Sequence, residues 1–162
     1  MASDFTFTYE VSAPCGCAKA YLSDGEQEVY LYPSHMQFEP SLGDPLLDLM
    51  SALLDTFRYE ITTLSKWHGS PGCEWQLKRE GDLLHVTLSG LWSYSQEQGW
   101  EEYTFSLTCN LWKFLAKVRL ACSRAIASEI LNENEEKRKS YRSAPSYQAL
   151  CELLEAHKQK KG

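Results

Sequence analysis

Residues 73–89 read Cys-Glu-Trp-Gln-Leu-Lys-Arg-Glu-Gly-Asp-Leu-Leu-His-Val-Thr-Leu-Ser. Trp75 and Leu77 alternate with Gln76 and Lys78. After the turn residues Glu80-Gly81-Asp82, Leu84, Val86 and Leu88 alternate with His85, Thr87 and Ser89. A period of two on both sides of a turn is the pattern of an antiparallel hairpin with one buried face. Moving toward the C-terminus, Ser93 to Gly99 is polar and reads as a loop flanked by Trp92 and Trp100. A further strand then places Tyr103, Phe105, Leu107 and Cys109 inward and Thr104, Ser106 and Thr108 outward. At Asn110 the period changes to helical. Leu111, Phe114, Leu115, Val118, Cys122 and Ala125 form one apolar stripe, and Lys113, Lys117 and Arg124 form a basic ridge. This pattern predicts a long helix over 110–132, a charged linker, and a last helix over 146–157 carrying Leu150, Leu153 and Leu154.

Moving the other way, residues 59–67 are rich in Thr, Ile and Tyr and read as a strand. Before them, Asp44 is suited to cap a helix and Pro45 to open it. Leu46, Met50, Leu53, Leu54 and Phe57 fall on one face of that helix, opposite Asp48, Ser51, Asp55 and Arg58, which predicts a helix over 44–58. Residues 4–32 hold the first strands: Phe5, Phe7, Tyr9 and Val11 alternate with polar residues, Ala18, Ala20 and Leu22 suggest a second strand, and Ser23-Asp24-Gly25 turns the chain into a third over Glu26 to Tyr32. Strands in series, interrupted by one helix and closed by two, predict an α+β fold: a largely antiparallel, meandering β-sheet with helices on one face. The 162 residues suit a single domain over 1–162.

Hydrophobic residues make up 43% of the chain, which excludes wholesale disorder. No run of 18 apolar residues exists, so no membrane-spanning helix is expected, and the opening Met-Ala-Ser-Asp-Phe-Thr does not resemble a secretory signal. A cytoplasmic location follows as the expectation. It agrees with reading the six cysteines, at 15, 17, 73, 109, 122 and 151, as mostly reduced thiols. The net charge of −6 is uneven. Residues 1–60 carry ten acids against two bases, while residues 135–162 carry four acids against seven bases. An acidic first third repels nucleic-acid phosphates and attracts basic partners.

Chemical motifs are sparse. Cys15-Gly16-Cys17 has a one-residue spacer and no second pair to complete a zinc site, so neither a metal nor another cofactor is expected. There is no glycine-rich phosphate loop, no H-E-x-x-H and no G-x-S-x-G. Glu101-Glu102 and the Glu26/Glu28 pair could serve as acid and base, or equally as a solvated surface. The alternative to a non-catalytic protein is a small hydrolase or thiol enzyme using Cys73 or Cys15 with His68, the best placed of the four histidines. The tryptophans say more. Trp75 and Trp112 fit core positions, whereas Trp67, Trp92 and Trp100 stand at loop edges, where aromatics among acids suit a protein interface.

Gly-Asp-Pro-Leu-Leu-Asp-Leu at 43–49, Pro-Gly-Cys-Glu-Trp-Gln-Leu-Lys-Arg-Glu-Gly-Asp at 71–82, and the closing Pro-Ser-Tyr-Gln-Ala-Leu-Cys-Glu-Leu-Leu-Glu give the chain a further character. In outline, residues 41–156 resemble a group of small bacterial proteins, some with the character of immunity proteins from polymorphic toxin systems. That resemblance implies a protein that occludes a basic partner, such as a toxin, through an acidic, preorganised surface, with no catalytic residues of its own. The residues expected to carry binding are Glu26, Glu28, Glu39, Asp44, Asp48 and Asp55, with Trp92 and Trp100 as anchors. No nucleic acid and no membrane are expected as partners.

Overall fold

The computed structural model describes residues 3–12, 17–33, 45–68, 72–127 and 144–161. Their elements follow in chain order: β1 Thr6–Ser12, β2 Cys17–Ser23, β3 Glu28–Leu31, α1 Pro45–Tyr59, β4 Thr63–Trp67, β5 Cys73–Glu80, β6 Leu83–Ser95, β7 Gly99–Asn110, α2 Leu111–Ala127 and α3 Pro145–Lys161. The fold is α+β and every strand pairing is antiparallel. The strands divide into two sheets, β1-β2-β3 and β4-β5-β6-β7, on either side of α1 in the chain. The expected capping by Asp44, the Cys15-Gly16-Cys17 motif and the run of α2 beyond residue 127 lie outside the described residues.

The period-two readings correspond to real faces. Phe5, Phe7 and Tyr9 of the first strand, Ala18, Ala20 and Leu22 of β2, and Val29 and Leu31 of β3 are all buried. So are Trp75 and Leu77 of β5, Leu84, Val86 and Leu88 of β6, and Phe105, Leu107 and Cys109 of β7. The helical stripes are buried as well on α2, at all six expected positions, and on α1 except for half-buried Phe57. On α3 Leu150 is buried, and Leu153 and Leu154 are half-buried. These side chains form one contiguous cluster, to which α3 contributes Leu150. Its centre is aromatic: Trp75 meets Trp67 at 5.0 Å between ring centroids, Phe7 at 6.1 Å and Phe114 at 6.3 Å. Rings at such separations in edge or tilted contact each add about 0.5–1.5 kcal/mol beyond area burial.

Several boundaries differ from the sequence reading, each for a physical reason. Tyr59 belongs to α1 rather than to a strand, because the helix ends only at Glu60, whose left-handed φ of 52° breaks the repeat. The following strand is accordingly shorter, Thr63–Trp67. Residues 26 and 27 belong to the turn before β3: Asp24 Oδ1 accepts the amide protons of Glu26 (2.9 Å) and Gln27 (2.7 Å). Trp67 is not at a rim but inside, 2% exposed and packed on Trp75 and Tyr9. The largest difference is at 93–99, where the expected loop is mostly strand and only 96–98 turn. α3 extends beyond the expected end at 157, through Lys161.

Candidate functional site: an aromatic and acidic β-arm

β6 and β7 are much longer than β5. Strand β5 begins at Cys73, across from the end of the regular part of β6, where Glu74 pairs with Ser89. Beyond that point, among the described residues, β6 and β7 pair only with each other: Leu91 with Tyr103, Trp92 with Glu102, Ser93 with Glu101, Tyr94 with Trp100 and Ser95 with Gly99. Five pairs at the usual rise give an arm about 17 Å long. At its base the register slips, because two residues of β6, Ser89 and Gly90, lie between Leu88 and Leu91 while only Thr104 of β7 lies between Phe105 and Tyr103. Gly90 sits in this bulge with φ of 79°, a left-handed conformation that an L side chain resists. At the tip the Ser95 hydroxyl accepts the Gln98 amide proton (3.1 Å).

The register decides which side chains share a face. Trp92 and Tyr94 are two apart on β6, and their partners on β7 are Glu102 and Trp100, so all four project from one side. Trp92, Tyr94 and Trp100 are 48%, 63% and 68% exposed. The Tyr94 and Trp100 rings meet at 5.4 Å and 56°, and Trp92 lies diagonally across from Trp100, about 7–8 Å away by ladder geometry. Tyr103, expected to face inward, is 38% exposed on the side opposite the rings, where it pairs with Leu91 and no third strand adjoins it among the described residues. Residues 91–103 carry Glu97, Glu101 and Glu102 and no lysine or arginine. The arm is an aromatic ledge edged with carboxylates.

The other expected binding residues lie elsewhere. Glu26 and Glu28 are exposed at the β2–β3 turn and on β3, where Glu28 accepts the Tyr21 hydroxyl proton (2.8 Å). Asp48 and Asp55 are exposed on α1. Glu39 and Asp44 fall outside the described residues. The structure therefore brings Trp92 and Trp100 together, and sets Glu26/Glu28 and Asp48/Asp55 on two further elements. Sequence reasoning missed Tyr94 and Glu97 as part of the ledge. The available signal was Trp92-Ser93-Tyr94-Ser95, which alternates like a strand despite its polar composition.

The thiol hypothesis also has a place in the structure. Cys73, His68, Glu74 and Glu102 line an open depression of about 370 Å³ beside the base of the arm. Cys73 itself is buried, and burial pushes its thiol up to about 12, countered only in part by the Trp75 indole. Cys109 is held up to about 12 by the same cause. Thiols so placed remain protonated at neutral pH, where a cysteine nucleophile needs its thiolate. Among the described residues no group of three or more His, Cys, Asp or Glu could hold a metal ion. Among them also, no helix is long and apolar enough to cross a membrane.

No protein-family model, no curated protein and no solved structure matches this chain.

Proposed function

We propose that this protein is a non-catalytic binding module, immunity-like in character, that neutralises or scaffolds a basic partner protein, and that the β6–β7 arm is its principal contact. The observation that carries this reading is the arm's composition: three large exposed rings on one face with Glu102 beside them, Glu97 at the tip and Glu101 on the other face, and no lysine or arginine in residues 91–103. Indole and phenol faces attract lysine and arginine, and the flanking carboxylates attract the same groups at longer range. Rings supply the contacts that hold a complex together, while the charges raise its rate of formation.

The test is kinetic, on complexes with basic proteins encoded next to this chain. Reversing Glu97, Glu101 and Glu102 to lysine is expected to slow association at low salt. Trp92→Ala with Trp100→Ala is expected to weaken binding by about thirtyfold or more, mostly through faster dissociation. Association and dissociation rates unaffected by both sets of changes refute the arm as the contact.

The shared depression of Cys73 and His68 supports a second reading, a cysteine-dependent enzyme. Thiol alkylation against pH separates the two: that reading requires a thiolate well below pH 8, and the buried Cys73 is expected to react only far above it.

A further inference from the structure

A second surface lies between α1 and β4 and uses none of the arm. The strand order leaves β4 at one edge of its sheet, and among the described residues no strand pairs with its outer side. α1 runs alongside. Asp48, Ser51 and Asp55, spaced by three and four residues, share one exposed face of that helix. With Thr63, Leu64, Ser65, Lys66 and His68 they border a groove of about 390 Å³.

Two features of the groove point to a ligand. Ser65 is only 5% exposed, yet its hydroxyl has no hydrogen-bond partner among the described residues. The Thr63 hydroxyl beside it is likewise buried and unmatched. Both oxygens are closed to solvent, so they make the floor of the groove polar without offering a direct contact. The second feature is polarity. Buried Ser65 and Trp67 alternate with exposed Leu64 and Lys66, which puts the Lys66 ammonium on the sheet face away from α1. The side toward the helix is left with carboxylates and hydroxyls, all acceptors for a cation.

We propose that this groove binds an extended, basic peptide segment of a partner protein by strand addition to β4, with a lysine or arginine of that segment reaching Asp55 above the buried hydroxyls of Ser65 and Thr63. The main chain of the segment pairs with the open edge, which supplies affinity independent of sequence. Its cation supplies selectivity: a lysine ammonium offers three donors, and Asp55, with Asp48 and Ser51 on the same exposed helix face, offers it acceptors. A segment with glutamate at that position meets Asp48 and Asp55 and is rejected.

The test uses the full chain and fluorescein-labelled ten-residue peptides of alternating valine and lysine. Comparators are the same peptide with glutamate for lysine, and two forms N-methylated on alternate residues. The lysine peptide is expected to bind at least tenfold tighter than the glutamate form. One N-methylated form is expected to lose binding and the other to keep it, since only alternate amides face β4. Amides 63–67 are expected to gain protection from hydrogen exchange in the complex. Asp55→Asn, a surface change, is expected to weaken the lysine peptide about tenfold, whereas Trp92→Ala with Trp100→Ala leaves it unchanged, which separates this site from the arm. Absence of saturable lysine-peptide binding overturns the proposal. So does binding indifferent to Asp55→Asn, binding indifferent to both methylation patterns, or protection confined to other strands.

Discussion

The two halves of the β6–β7 hairpin are written in similar residues and end in opposite environments. Up to Leu88 and from Phe105 onward, large apolar side chains alternate with small polar ones and vanish into the core. Past the bulge the two faces exchange character. The core-side positions hold Leu91, Tyr103, Ser93 and Glu101. The outer face, which carries His85, Thr87, Ser106 and Thr108 in the first half, now carries Trp92, Tyr94 and Trp100, and these rings are left in the open. What differs is the face, and with it the neighbour. β5 stands beside the first half and ends at Cys73, so the second half is a two-stranded ribbon with nothing stacked on its aromatic face among the described residues. Exposure here follows from the face on which the rings stand, and the Ser89-Gly90 bulge that resets the face of β6 cannot be read from the alternation alone.

Substitutions can break that contrast or sharpen it. Trp75→Ala removes the ring at the centre of the cluster and is expected to cost about 3–5 kcal/mol in denaturant unfolding, whereas Trp100→Ala is expected to stay within about 0.5 kcal/mol of the parent. Equal losses at the two positions would mean that the arm is packed rather than presented. Gly90→Ala tests the joint between the halves. A Cβ there meets its nearest atoms, Cys73 Cα and Gly72 O, at 3.7 and 3.8 Å, so space is adequate and the penalty comes from the backbone at φ 79°. That penalty is about 1–2 kcal/mol, with partner binding altered because the arm is re-aimed.

Cys73 and Cys109 mark the packed half chemically. Their thiols are pushed from 9.0 to about 12, so above pH 9 the unfolded chain sheds these protons first and stability falls as pH rises toward 12. Replacing both with alanine is expected to flatten the alkaline limb of a stability–pH curve, and neither thiol should be alkylated in the folded protein near pH 8. The smallest effect belongs to the other tight turn. The amides of Gln27 and Glu26 hold the Asp24 carboxyl below its usual 3.8, so its contribution is present above that value and fades as pH falls beneath it. Asp24→Asn is expected to make the acid limb slightly shallower, read as the unfolding midpoint against pH.

The fold was largely legible because burial and period coincide over most of the chain. Leu46, Met50 and Leu53 on α1, and Leu111, Phe114 and Val118 on α2, are buried where the helical repeat places them. The division into two sheets was not legible, since it depends on which strands pair across α1, and periodicity carries no partner information. The arm was half legible. Trp92 and Trp100 stood out by type, yet the Ser-Gln-Glu-Gln-Gly composition between them outweighed the strand signal of Tyr94. Ser65 was invisible as a site residue: a serine in a short strand looks ordinary until its hydroxyl is found buried and unmatched.

The separation of the tryptophans into an enclosed pair, Trp67 and Trp75, and an open pair, Trp92 and Trp100, has an optical consequence. The open indoles emit at longer wavelength and meet dissolved quenchers such as acrylamide, while the enclosed ones are shielded. With the half-buried Trp112 contributing between them, unlabelled protein therefore carries a blue and a red component in one emission spectrum. Capping of the arm dims quencher access without disturbing the blue component, and loosening of the interior shifts the blue component while the red one stands still.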